Sequence, residues 1–305
     1  MQFTVIGAGN MGCIYGGNLA RIGERVAMLD VWEDHVKRIQ NHGLEIDGLH
    51  GTFVAPVTAF NDAAAAQKSD IVLICVNAYS AREAANSARI LLKDSGFVVT
   101  LQNGLGNVEI LAEVLGADRV MAGLSFHSAD LRGPGQVTHT NSGPTYLGEL
   151  DKSRSSRLSV LCGLLDSAGM NPVLVDDIMA TVWGKFVHNC GLNAVCAITG
   201  LLPAQIQRIP ALDEFQTRII EEVLALVKAK GITIPDPNPI ESIKAYCAKK
   251  HHRVSMLQHL ERGRQTEIDA LNGYVARESA RLGLAAPYND ALTSLVKGRQ
   301  HRSAD

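Results

Sequence analysis

Met1-Gln2-Phe3-Thr4-Val5-Ile6, running straight into Gly7-Ala8-Gly9-Asn10-Met11-Gly12, opens the chain, and its reading decides the fold. The apolar run predicts a short strand, residues 13–21 a helix, and, after Gly23, residues 25–29 a second strand that ends on Asp30. Strand, glycine turn, helix and strand in that order make the unit that binds a dinucleotide. Gly7 permits the tight turn, Gly9 lets backbone approach a pyrophosphate, and Gly12 lets the helix pack against the strand. Ala8, Asn10 and Met11 belong to the same phosphate-facing turn. The helix start then offers unpaired N–H groups and partial positive charge to an anion.

Asp30 follows Gly12 by eighteen residues, at a strand end. A carboxylate there accepts hydrogen bonds from the ribose hydroxyls and repels a 2′-phosphate. The residues after it, Val31-Trp32-Glu33-Asp34, contain no arginine. NAD(H) is therefore expected ahead of NADP(H). The plainer role for Asp30 is to cap a helix over residues 33–41, and the two are compatible.

The chain has 305 residues, 46% of them hydrophobic and 20% charged, with a net charge of −2. That length suggests two domains. The even mixture of acids and bases argues against a nucleic-acid or membrane partner. No apolar run approaches bilayer length, and no targeting segment precedes the first strand, so a cytoplasmic protein is expected. The six cysteines are scattered without a Cys-x-x-Cys pair, which argues against a metal site or a disulfide framework. His251-His252 reads as a solvated helix end.

Further along, residues 47–58 suggest strands or a hairpin at the sheet edge, and the alanine-rich 62–69 a short helix. Residues 70–76 and 97–101 are continuous apolar runs, as parallel strands buried on both faces require. They end at Asn77 and at Gln102-Asn103, so with Asp30 three strands finish in polar residues where an open parallel sheet holds its ligands. Residues 119–150 suggest an antiparallel extension, followed by a helix over 154–168 and a last strand over 171–175. Beyond Asp176 the pattern is helical: 177–200, 212–230, 239–250, 254–282 and 288–298, with Gly and Pro at the joints. The expected architecture is α/β: a dinucleotide-binding Rossmann-type domain over 1–176 and an all-helical substrate and dimerisation domain over 177–305.

Within 177–200, Lys185, Asn189 and Asn193 fall four apart and share one face of a helix whose neighbours, Trp183, Phe186, Val187, Leu192 and Val195, are apolar. Polar groups buried among such neighbours need partners. A lysine so placed suits proton donation to a carbonyl, with the amides binding substrate; burial would bring its pKa toward a useful range. The plainer reading is a solvated stripe with Lys185 pointing outward. A second cluster joins Ser255 to Glu267, twelve residues on, with Gly263 between them as a break that lets both face one cleft. Taken singly, Glu267 would be a surface acid and Ser255 an N-cap.

Across essentially its whole length the chain resembles the ketopantoate reductases (2-dehydropantoate 2-reductases). The resemblance rests on Gly7-x-Gly9-x-x-Gly12, Asn103-Gly104-x-Gly106, Lys185-x-x-x-Asn189-x-x-x-Asn193, and Ser255-Met256-x-Gln258 with Thr266-Glu267-Ile268-Asp269 and Asn272-Gly273. It implies substrate bound in a cleft between the domains, Lys185 as general acid for reduction of a 2-keto group, and Glu267 binding the hydroxyl or orienting the lysine. Asn189, Asn193 and Ser255 would hold the substrate, Asn103 would lie near the nicotinamide ribose, and a homodimer is implied. Two positions depart from the family pattern. Asn77 stands where a lysine is usual, at a position that contacts cofactor and substrate, and Asp30 stands where NADPH-using members carry an arginine. Loss of the lysine charge points to a different or less anionic 2-keto/2-hydroxy acid.

Three other readings carry less weight. A 3-hydroxy acid dehydrogenase also places Lys-x-x-x-Asn on such a helix, but the Thr-Glu-Ile-Asp segment and the second asparagine disfavour it. A non-catalytic NAD-binding protein has only Asn77 in its favour. His127 or His188 as the acid–base group would require a lone histidine to be more than structural.

Overall fold

The computed structural model describes residues 1–49 and 51–302; His50, inside the expected 47–58 edge segment, lies outside them. Two compact units divide the chain: residues 1–102 with 106–179, and residues 103–105 with 180–305. The expected join at Asp176 falls three residues before the later division, and Asn103–Leu105 groups with the helical unit.

The first unit is built on a sheet that has eight strands among the described residues. In order across it lie Pro172–Leu174, Thr145–Glu149, Val120–Ser125, Leu92–Thr100, Ser69–Ile74, Gln2–Ile6, Arg25–Leu29 and Thr58–Phe60. Pairing is parallel from Val120–Ser125 through to Thr58–Phe60, while Thr145–Glu149 runs antiparallel to Val120–Ser125. Side chains alternate between faces. Phe3, Val5, Met28, Ile71 and Leu73 pack toward the helices Asn10–Arg21 and Ser156–Ser167. Ile6, Leu29, Val72, Ile74 and Val98 pack toward Ala81–Leu91 and Asn107–Leu115. Two covered faces explain why these strands read as unbroken apolar runs.

Only part of the expected antiparallel extension joins this sheet. Ser128–Gly133 and Gln136–Asn141 instead pair with Leu44–Gly48 and Phe53–Ala55 in a separate sheet. The alanine-rich segment forms a 3-10 turn, Ala63–Ala65, capped by the Asp62 carboxylate on the Ala64 N–H, where a short helix was expected.

The second unit packs Ile178–Thr199 against Pro210–Ala229, Asn272–Arg281 and Pro287–Arg302, with Pro239–Lys249 nearby. Residues 254–282 are not one helix. Ser255–Glu261 stops short of Gly263, which adopts φ +61°, then a 3-10 turn Ile268–Ala270 leads into Asn272–Arg281. Among the described residues no helix is long and apolar enough to cross a membrane, and no group of three or more His, Cys, Asp or Glu could hold a metal.

Gly12 sets the tightest packing constraint in the first unit. A Cβ there would lie 1.9 Å from the Gly7 carbonyl oxygen and 3.0 Å from Val5 Cγ1. Backbone cannot retreat as a flexible side chain can, so Gly12→Ala is expected to cost about 2 kcal/mol or more and to weaken binding of the expected dinucleotide. Thermal melts and NADH fluorescence titration check this; wild-type behaviour in both would contradict it.

Candidate active site

The first strand ends at Gly7, whose φ of +93° turns the chain sharply. Its N–H donates to the Leu29 carbonyl at 2.8 Å, keeping the turn tied to the second strand. Asp30 then braces the turn from the side: its carboxylate accepts from the Ala8 N–H at 2.6 Å and from the Trp32 N–H at 2.9 Å. The N-cap before Glu33–His42 is Trp32, so Asp30 stands two residues ahead of the capping position expected for it.

Gly9 is the N-cap of Asn10–Arg21 and brings no side-chain cap. A Cβ on Gly9 would meet nothing within 4 Å, so open space lies directly beside that helix start. A glycine turn, an uncapped helix N-terminus and free room at Gly9 fit a dinucleotide pyrophosphate. Asn10 and Met11 are placed differently. The Asn10 side-chain oxygen accepts from the Leu131 N–H at 3.1 Å, and Met11 packs half-buried against the apolar core. Ala8 is buried and offers only backbone.

Asn77 follows the strand Ser69–Ile74, with its Nδ2 donating to the Tyr79 hydroxyl at 2.8 Å. Gln102 Nε2 donates to the Asn77 carbonyl at 3.5 Å. Neither tie was visible in the sequence.

In the helical unit, Ile178–Thr199 carries Lys185, Asn189 and Asn193 on successive turns, as their spacing requires. Lys185 and Asn189 are half-buried, and Asn193 is 7% exposed, so the face is not a solvated stripe. Burial pushes the Lys185 amine down from 10.5 to about 8, and the Glu267 carboxylate opposes that fall. The displacement is worth about 3 kcal/mol against the charged form. A lysine at this value exchanges its proton readily near neutral pH.

Glu267 is 8% exposed and accepts a long hydrogen bond from Asn103 Nδ2 at 3.4 Å. Asn103 reaches it because Gly104, at φ +81°, lets the backbone lie against Ala270: a Cβ there would sit 2.7 Å from the Ala270 oxygen. The Leu105 N–H donates to that same oxygen at 3.1 Å. Asn193, Ser255 and Glu267 line one recess with Met256, His259 and Leu271. Ser255 is the first residue of its helix, following the N-cap Val254, so its hydroxyl is not engaged as a cap. Thr266 anchors the start of the Glu267 segment, its N–H donating to Gln300 Oε1 at 2.8 Å. Gln300 carries no motif signal that could have revealed this.

His188 and His127, the two histidines weighed as acid–base groups, are engaged elsewhere. Burial pushes His188 down to about 4, helped by the neighbouring Lys185 and Lys250, and its ring packs edge-on to Tyr246. His127 is buried between His139 and the Met170 carbonyl, 3.0 Å from each.

Comparison with known proteins points to one family. A family model described as ketopantoate reductase PanE/ApbA matches residues 3–152, and one for the C-terminal part of that family matches 177–300. A 2-dehydropantoate 2-reductase of Pyrococcus horikoshii is 30% identical over 301 residues, 98% of each chain. One of Halobacterium salinarum is 29% identical over 97% of this chain and 98% of its own. Among solved structures, a PanE/ApbA family ketopantoate reductase from Ralstonia eutropha superposes with a TM-score of 0.93 at 30% identity over the whole of both chains. A D-mandelate dehydrogenase solved with NADH and anilino(oxo)acetate superposes at 0.92 with 26% identity, again over the whole of both chains. Fold and relatives together define a nicotinamide-dependent oxidoreductase acting on a CH–OH group. The chain belongs to the ketopantoate reductase family.

Competitive amine labelling across pH is expected to give Lys185 a midpoint near 8, well below an ordinary lysine. Glu267→Gln removes the group that holds the value up, so the midpoint should fall further. A Lys185 midpoint at the ordinary lysine value would contradict this electrostatic account.

Proposed function

We propose that this protein interconverts a 2-keto acid and its 2-hydroxy acid, using ketopantoate or a less anionic relative, with NAD(H) preferred and NADP(H) second. The observation that carries the reading is a buried lysine amine brought to about 8 beside a buried carboxylate. Reduction of a keto group builds negative charge on its oxygen, and an ammonium of this acidity can neutralise it by giving up a proton. Solvent then returns a proton to Lys185, while the Glu267 carboxylate binds the hydroxyl or orients the lysine. Asn189, Asn193 and the Ser255 hydroxyl supply hydrogen bonds to the substrate, and Asn103 steadies Glu267 while facing the ribose. When bound, the nicotinamide supplies or takes the hydride; Gly7, Ala8, Gly9, Asn10, Met11 and Gly12 form the turn that would receive the pyrophosphate.

Support for NAD(H) comes from Asp30, whose carboxylate opposes a 2′-phosphate. The D-mandelate dehydrogenase neighbour, solved with NADH, lends weight to the same choice and to a substrate with a bulky apolar side chain. Asn77 contributes by presenting an amide, already tied to Tyr79, where a cation would favour a more anionic substrate. In this reading residues 1–176 serve the cofactor, residues 177–305 serve substrate binding and dimerisation, and the enzyme works as a cytoplasmic homodimer.

Assaying a panel of 2-keto and 2-hydroxy acids with each nicotinamide cofactor tests the reading. The expected result is turnover of 2-keto acids with a lower KM for NADH than for NADPH. Lys185→Met should lower kcat by about 10²- to 10⁴-fold, the usual contribution of a general acid. Turnover confined to 3-keto acids, or unimpaired in Lys185→Met, would overturn it. Separately, Asn77→Lys is expected to raise kcat/KM for ketopantoate, and no change would dismiss the account of position 77.

A further inference from the structure

A buried chain of amides runs through the helical unit and ends on the helix that carries Lys185. Asn272 and Asn289 are both fully buried. Asn289 Nδ2 donates to Glu222 Oε2 at 2.7 Å and to the Ile219 carbonyl at 3.2 Å. A carboxylate and a carbonyl can only accept, so the orientation of the Asn289 amide is fixed and its Oδ1 must accept. The donor it accepts from is Asn272 Nδ2, at 2.9 Å. The same Nδ2 donates to the Cys190 carbonyl at 3.0 Å. Cys190 lies between Asn189 and Asn193 on Ile178–Thr199, and Asn272 follows Glu267 by five residues. One residue on, the Gly191 carbonyl accepts from Gln216 Nε2 at 2.9 Å.

We infer that Asn272 is a positioning residue, setting the height of the Glu267 segment along the lysine-bearing helix through its bond to the Cys190 carbonyl. This rests on the proposed role of Lys185 as the proton donor. The segment from Thr266 to Asn272 is short and is held near both ends, at Thr266 by Gln300 and at Asn272 by Cys190 and Asn289. Release of the second anchor lets Glu267 drift from the amine. Among the described residues, Glu267 acts on that amine, and the amine in turn acts on His188 of its own helix, which also senses Lys250. Glu267 raises the lysine's proton affinity, so drift lowers it.

The test uses the full chain, reductively methylated with a ¹³C label, with the Lys185 signal assigned by Lys185→Arg. In Asn272→Ala, the Lys185 midpoint should fall below the wild-type value. With unlabelled enzyme, kcat should fall roughly ten- to a hundredfold, the cost of a misplacement of about an ångström, while the KM for NADH stays within about twofold, since the dinucleotide turn is not touched. Leu292→Ala, a cavity in the same apolar core, should lower thermal stability and leave the Lys185 midpoint in place. If Asn272→Ala does not fold, Asn272→Ser keeps one donor and should show the same changes at smaller size. An unshifted Lys185 midpoint with wild-type kcat would overturn the inference, as would an equal shift in Leu292→Ala. Failure of the proton-donor reading is separate: it would appear as undiminished turnover in Lys185→Met, whatever the midpoint in Asn272→Ala.

Discussion

A lysine amine that is short of water and held next to a carboxylate is the interaction on which the rest of the helical unit depends. Burial alone would drive Lys185 toward its neutral form, and a bare charge there would be costly. Glu267 restores part of the charged form, leaving the amine near 8. Neither effect is useful without the other: burial unopposed leaves no proton to give, and full compensation leaves a lysine that holds its proton too tightly. Such a balance needs the carboxylate fixed in place, and several contacts converge on its segment. Gln300 holds Thr266, Asn103 reaches Glu267, and Leu105 donates to Ala270.

The sheet unit solves a different problem with backbone rather than charge. Gly7, Gly9 and Gly12 place a helix start beside a strand end with open space at Gly9, and the 1.9 Å approach at Gly12 shows how little room the arrangement has. Asp30 serves that turn from inside by accepting the Ala8 N–H. One carboxylate thus braces the turn structurally, and in the proposed reading it also opposes a 2′-phosphate.

What the sequence revealed was what local periodicity and backbone chemistry dictate. The strand, glycine turn and helix over residues 1–21 were legible because glycine positions and apolar runs carry that pattern directly. Lys185, Asn189 and Asn193 were legible as one face because the helical repeat sets it. The sharing of a recess by Ser255 and Glu267 was readable only through the break at Gly263. Other features depend on distant pairings with no local signature. Asn103–Leu105 packs with residues near 270, Asn10 spends its side chain on Leu131, and Asn77 binds Tyr79. The second sheet escaped for the same reason: Gln136–Asn141 finds its parallel partner at Leu44–Gly48, across about ninety residues of chain.

The pH dependence of kcat/KM for reduction of a 2-keto acid by NADH tests the central claim most directly. In the proposed reading protonated Lys185 is the form that acts, and it is lost as pH rises through its value of about 8. The rate should therefore be level below that pH and fall tenfold per pH unit above it. A profile that stays flat well past pH 9, or the same alkaline fall retained in Lys185→Met, would contradict the claim that this amine delivers the proton.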